Sequence, residues 1–171
     1  MNIGILALQG GFIEHADCFQ RLGCQTTLIK SANDMTGIDA LVVPGGESTA
    51  MNSLMLPEVI AWIEAGRPFL GTCAGAILFA KVRPKLFQVT RNAYGSQKHS
   101  FIAQVEFADQ MISGVFIRAP KFTQVKSKRY IIATLDAQPV GIAYQQQMAL
   151  SFHPELTDSL VVHQYFLGLI K

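Results

Sequence analysis

The first half of the chain alternates short, unbroken apolar runs with longer segments whose apolar residues recur at helical spacing, and few architectures accommodate that order. Ile3 to Leu8 is apolar at nearly every position, as a strand must be when helices cover both of its faces. Phe12, Ala16, Phe19 and Leu22 follow at helical spacing and stop at Gly23, which predicts a helix over residues 12 to 22. Gln25 to Lys30 and Ala40 to Val43 read as the next two strands. Ser48 to Leu54 and Pro57 to Ala65 read as helical, Pro57 standing at a helix start, then Pro68 to Gly71 as a strand and Ala74 to Val82 as a helix. Beyond Pro84 the texture changes to short β-like runs, Phe87 to Thr90, Phe101 to Phe107, Gly114 to Ile117, Tyr130 to Leu135, Val140 to Tyr144 and Met148 to Phe152. Their spacing suits antiparallel pairing. An amphipathic helix over Asp158 to Leu169 closes the chain, with Leu160, Val161, Tyr165, Leu167 and Leu169 for its buried side. The expected fold is α/β, a three-layer, open, mixed and largely parallel sheet flanked by helices. The 171 residues hold no repeat, low-complexity segment or linker, so a single domain over 1–171 is expected.

Composition removes several classes of function. Half of the residues are hydrophobic and 15% are charged, which describes a globular chain and not a disordered one. The basic residues are scattered, and even the run from Lys121 to Arg129 is interrupted by Phe122, Thr123, Gln124 and Val125. No nucleic-acid footprint is expected. The opening residues lack a signal-peptide pattern, and no apolar stretch approaches the ~20 residues of a membrane span, so a cytoplasmic location without membrane association is expected. Cys18, Cys24 and Cys73 are an odd number with no secretory mark and read as reduced thiols, Cys18 and Cys24 as packing residues. The histidines are widely spaced, no cysteine pair has ligand spacing, and Pro44-Gly45-Gly46-Glu47 lacks the lysine of a phosphate loop. No metal or cofactor is expected.

Cys73 is set in Gly71-Thr72-Cys73-Ala74-Gly75, between an apolar strand and a helix. This is a cysteine version of a nucleophile elbow, a turn so sharp that side chains two positions before and after the nucleophile must be absent. The start of the following helix stabilises a thiolate, and the Ala74 N–H faces any oxyanion formed on a substrate carbonyl. The pentapeptide alone fits equally a buried structural cysteine between two turn glycines.

A nucleophilic thiol needs a proton acceptor, and there are four histidines to choose from. His15 and His163 fall on predicted helices and His99 in a polar loop, positions that suit structural or exposed side chains. His153 differs, because Ser151-Phe152-His153-Pro154-Glu155 follows an apolar strand and Pro154 favours an extended His153. In an extended chain Glu155 projects from the same side and is able to orient the imidazole. By itself His-Pro-Glu also fits a strand-end turn with a solvated acid.

Taken together, Leu8-Gln9-Gly10, Pro44-Gly45-Gly46-Glu47-Ser48-Thr49, the elbow, Arg91-Asn92-Ala93-Tyr94-Gly95, Phe116-Ile117-Arg118-Ala119-Pro120 and Ser151 to Leu156 resemble the class I, triad-type glutamine amidotransferases. Within that class they resemble the glutaminase subunits of pyridoxal 5′-phosphate synthase. The resemblance runs from Gly4 to the last helix and implies a flavodoxin-like sheet. It implies that Cys73, His153 and Glu155 form a triad that hydrolyses L-glutamine through a γ-glutamyl thioester. It further implies an oxyanion site at Gly45, Gly46 and Ala74, and substrate contacts from Gly46, Glu47, Ser48, Arg91, Ile117 and Arg118. Arg91 or Arg118 suits the α-carboxylate and Glu47 the α-ammonium; without the resemblance Arg118 fits a surface salt bridge equally, and Glu47 a helix-start charge. The implied partner is a barrel-shaped synthase subunit, met partly by the Gln9-Gly10 turn, that takes the ammonia through a protected channel into pyridoxal 5′-phosphate. The segment from Lys81 to Thr90 is shorter than the family's usual one. Two other readings share the elbow: a non-catalytic regulatory subunit with a trimmed loop, and a cysteine hydrolase or peptidase acting on another substrate.

Overall fold

The computed structural model describes residues 1–8, 10–46, 56–90 and 100–171. The apolar runs form parallel strands: β1 (Asn2–Leu6), β2 (Gln25–Ile29), β3 (Ala40–Val43) and β4 (Phe69–Thr72), with α1 (Phe12–Arg21), α2 (Leu56–Glu64) and α3 (Ala74–Val82) among them. β5 (Gln88–Thr90) leaves the main sheet and pairs with β8 (Lys121–Thr123). β6 (Ser100–Phe107), β7 (Gln110–Ile117), β9 (Ile131–Leu135), β10 (Gln138–Tyr144) and β11 (Gln147–Leu150) follow, and α4 (Val161–Leu169) ends the chain. The nine-stranded sheet has the order β2-β1-β3-β4-β11-β10-β9-β6-β7. β2, β1, β3, β4 and β11 run parallel, and from β10 outward each neighbour is antiparallel.

Alternation along the buried strands sends side chains to both faces. Ile3, Ile5, Ala40, Val42, Leu70 and Leu150 pack with Phe19 of α1 and Val162 and Phe166 of α4. On the opposite face Leu41, Val43, Phe69 and Ala149 pack with Trp62 and Ile63 of α2 and Phe79 of α3. The result is the expected three-layer, mixed sheet. Burial of each large aliphatic or aromatic side chain contributes ~1.5–3 kcal/mol, so the central strands anchor whatever their C-terminal ends carry.

Several boundaries depart from the expectation. β1 stops at Leu6, two residues short of Leu8, because the chain turns there. β7 begins at Gln110, four residues before Gly114, and β8 was not anticipated. α4 begins at Val161 and turns Val162, His163 and Phe166 inward, whereas the residues expected to be buried lie at its half-covered flanks. The expected helix over Ser48 to Leu54 lies outside the described residues. Among the described residues no helix is long and apolar enough to cross a membrane.

Candidate active site

β4 ends at Thr72 and α3 begins at Ala74, so Cys73 alone makes the turn, at φ 49° and ψ −101°. Such a conformation costs a non-glycine residue on the order of 1–3 kcal/mol and persists only where neighbours impose it. Here the Cys73 N–H donates to the Leu150 carbonyl of β11 at 2.9 Å, and the Cys73 carbonyl accepts from the Ile77 N–H at 3.1 Å. The flanking glycines are required by backbone against backbone. A Cβ on Gly71 would lie 2.6 Å from the Gly75 carbonyl, and one on Gly75 would collide with the Val43 carbonyl oxygen of β3. Cys73 is buried, and its thiol points to the Ile117 carbonyl at 3.6 Å. The Ala74 N–H is one of the first in α3, where no intrahelical acceptor exists and negative charge is favoured.

His153 follows β11 with an extended backbone, φ −107° and ψ 89°. Its N–H donates to the Val115 carbonyl at 2.8 Å, so β7 at the far end of the sheet order curls back to hold it. Its Nδ1 is 2.8 Å from Glu155 Oε1. The pair meets for a different reason from the one expected: Pro154–Leu156 is a 3₁₀ turn, and it is this turn that curls the carboxylate back to the ring. His153 Nε2 is buried, makes no hydrogen bond of good geometry, and has Cys73 as its neighbour.

Burial opposes an imidazolium at His153, but the hydrogen bonds and charges of Cys73 and Glu155 outweigh it and push its pKa up to about 10. Burial likewise opposes a charged Glu155. His15 first and His153 second override that effect and hold the carboxyl well below the usual carboxylate range. The Glu155 carboxyl therefore stays ionised and the His153 ring holds a proton.

Gly45 lies between the two halves of the site. A Cβ there would collide with His153 Cε1 and stand 2.9 Å from Cys73 Cβ. The Gly45 N–H donates to Thr72 Oγ1 at 3.1 Å. That N–H is thus committed to a side chain, and what Gly45 supplies at this point is room between the cysteine and the imidazole. Gly10, at φ 79°, has room only for hydrogen against the Gly45 carbonyl, and a Cβ on Gly11 would stand 2.9 Å from Glu155 Oε1. The turn after β1 therefore touches both Gly45 and Glu155.

Ile117 and Arg118 are exposed at the end of β7, with the Ile117 carbonyl on the thiol and Arg118 at φ 45°. Gln9, Glu47, Ser48, Arg91 and His99 lie outside the described residues. Missed in the sequence were His15 and His163, both fully buried. His15 Nε2 is 3.2 Å from Glu155 Oε2, and His15 Nδ1 is 2.9 Å from His163 Nε2. The available signal was the placement of each on the apolar side of its helix, His15 one turn before Phe19 and His163 one turn before Phe166.

Over 98% of its length the chain is 42% identical to the pyridoxal 5′-phosphate synthase subunit PdxT of Francisella tularensis subsp. holarctica (strain FTNF002-00 / FTA), 98% of which is matched. It has the same identity and coverage with PdxT of Francisella tularensis subsp. novicida (strain U112). A crystal structure of a glutamine amidotransferase superposes with a TM-score of 0.87 at 37% identity, over 98% of both chains. The structure of PurLQS from Thermotoga maritima superposes at 0.75 over 99% of both chains, at 12% identity, a likeness of fold alone. Residues 5–171 match the family model of the SNO glutamine amidotransferases, and the chain belongs to that family.

Proposed function

We propose that the chain is a single-domain glutaminase in which Cys73, His153 and Glu155 hydrolyse L-glutamine to L-glutamate and ammonia. The observation that carries this reading is the juxtaposition at Gly45. Cys73, held at φ 49° by its elbow, faces an imidazole whose other nitrogen is 2.8 Å from a buried carboxylate. Family membership supplies the substrate class.

The Cys73 thiolate attacks the side-chain amide carbon, and the negative charge moves to the carbonyl oxygen, which faces the N–H groups of Ala74 and Gly46. His153 gives its proton to the amide nitrogen, the C–N bond breaks, and ammonia leaves a γ-glutamyl thioester. Water then attacks the thioester carbon while His153 takes one of its protons. Collapse releases glutamate and restores the thiolate beside the imidazolium. Glu155 holds the Nδ1–H throughout, as in other triads. Arg118, beside the thiol's acceptor Ile117, and Arg91 take the α-carboxylate, with Glu47 and Ser48 on the α-amino side. The ammonia passes to a barrel-shaped synthase subunit that makes pyridoxal 5′-phosphate; the naming of PdxT relatives as synthase subunits supports that partner. The site works in the cytoplasm, where thiols stay reduced.

Ammonia release is measured for the wild type and Cys73→Ala, each with and without the synthase subunit. The expected result is glutamine-dependent release, raised by the synthase and abolished by the substitution. Release that survives Cys73→Ala refutes the reading. Mass spectrometry after a glutamine-analogue alkylator is expected to place the label on Cys73, and an unlabelled Cys73 points to a regulatory subunit.

A further inference from the structure

We infer that His15 is a positioning residue of this site, holding the second oxygen of Glu155 and tying the triad acid to the residue that precedes the nucleophile. The inference rests on the glutaminase reading and deepens it. Both side chains are 0% exposed, so water does not replace the contact between His15 Nε2 and Glu155 Oε2 at 3.2 Å. The same Nε2 is 3.4 Å from Thr72 Oγ1, the hydroxyl that accepts the Gly45 N–H. One nitrogen therefore sits between the carboxylate that orients the base and the hydroxyl that holds Gly45.

The proton inventory assigns a direction to this chain of contacts. A carboxylate only accepts, so His15 Nε2 carries the hydrogen it presents to Glu155. His15 Nδ1 is then left to accept from His163 Nε2, 2.9 Å away. The last nitrogen, His163 Nδ1, is buried without a partner and ends the chain as a bare acceptor. Burial pushes His163 down to about 3, which keeps it neutral and able to serve this way. His15 meets Glu155 after β11 and His163 on α4, Glu155 in turn meets His153, and Glu14, Asp17, Cys18 and Arg21 are the other titratable or charged groups of its own helix.

Without His15 the Glu155 carboxylate keeps Oε1 on His153, while its buried Oε2, which makes no hydrogen bond of good geometry, loses the nitrogen that stands 3.2 Å away. The carboxylate is then free to rotate, and the Nδ1–H of His153 loses its fixed acceptor. A structural histidine would disturb stability alone; a positioning one alters the ionisation of Cys73 and the chemical step.

The experiment compares wild type, His15→Ala and His15→Gln, the last keeping a donor near the Nε2 position. Glutamine hydrolysis is assayed with the synthase subunit, and the rate of iodoacetamide alkylation of Cys73 is followed against pH by peptide mass spectrometry. For His15→Ala, kcat is expected to fall roughly 10–100-fold with KM changed less than about threefold, the range seen when the outer partner of a metal-bound ligand is lost. The alkylation profile moves to higher pH, and His15→Gln recovers most of both. Unchanged profile and kcat per alkylatable Cys73, with only a lower melting temperature, overturn the inference. If neither variant folds, the wild-type imidazole nitrogen-15 spectrum decides: hydrogen on His15 Nε2 across the neutral range supports the role, and the Nδ1–H tautomer overturns it. A wild type inert toward glutamine sinks the glutaminase reading instead, while the alkylation profiles still report on His15.

Discussion

Gly45→Ala separates chemistry from folding more cleanly than removal of a triad member. The φ of Gly45 is not positive, so alanine meets no backbone penalty there. Its methyl group, however, would stand 2.9 Å from Cys73 Cβ and 3.2 Å from His153 Nδ1, and collide with His153 Cε1. Carbon atoms in contact settle at about 3.5–4.0 Å, so relief requires a movement of roughly 1 Å shared between the two side chains. Cys73 is fixed by backbone bonds to Leu150 and Ile77, which leaves the imidazole to move. A displacement of about 1 Å in a reacting group costs on the order of 100-fold in rate. Overpacking costs the fold about 1–3 kcal/mol, and His153 stands at the edge of the core, so the lower end applies. The expected outcome is a roughly 100-fold loss of synthase-activated ammonia release, read by coupled oxidation of a nicotinamide cofactor, with a melting temperature within about 4 °C of wild type. Activity within a few-fold of wild type would refute the placement of Gly45 between nucleophile and base.

Gly75→Ala is expected to do the reverse, because its methyl group meets the Val43 carbonyl of a central strand; a melting temperature lower by roughly 3–10 °C is the check. Thr72→Val leaves the Gly45 N–H buried without an acceptor, and a loss of about 1–3 kcal/mol in urea titration is expected, with Thr72→Ser close to wild type. The raised His153 pKa adds stability that is complete below the unfolded value of about 6.5 and disappears as pH rises through about 10. Glu155→Gln, which removes the charge that helps raise it, is expected to flatten the fall of melting temperature over that alkaline interval; an identical slope in the variant contradicts the coupling. On the acid side His163, pushed down to about 3, withdraws stability as pH falls below about 6.5, and His163→Phe is expected to soften that decline.

The parallel half of the fold was legible because its strands are buried on both faces and its helices show one apolar side. The elbow was legible because its glycines answer a steric demand that composition alone displays. The antiparallel half was harder for an equally physical reason. Two of its hairpins turn on Ala108-Asp109 and Asp136-Ala137, all four residues at positive φ between 45° and 64°, with none of the glycines that announce such turns. β7 accordingly read as short, since Gln110 and Met111 face outward and offer no apolar run. β8 contributes a single buried residue, Phe122, too little to stand out. At the site, Cys73, His153 and Glu155 were found through motif and neighbourhood. His15 was not, because its partner Glu155 is remote in the chain and only the packing of α1 against the turn after β11 brings them together.

The bond from the Cys73 N–H to Leu150 has a consequence for the chain as it is being made. β4 and its cysteine leave the ribosome well before β11, which both neighbours β4 in the sheet and delivers His153 and Glu155. Until then the bond to Leu150 is missing and neither His153 nor Glu155 stands beside the thiol. A partly synthesised chain is therefore expected to carry an ordinary thiol at Cys73, and on the proposed mechanism glutamine is spared until the strand that completes the sheet has also brought the histidine and the acid.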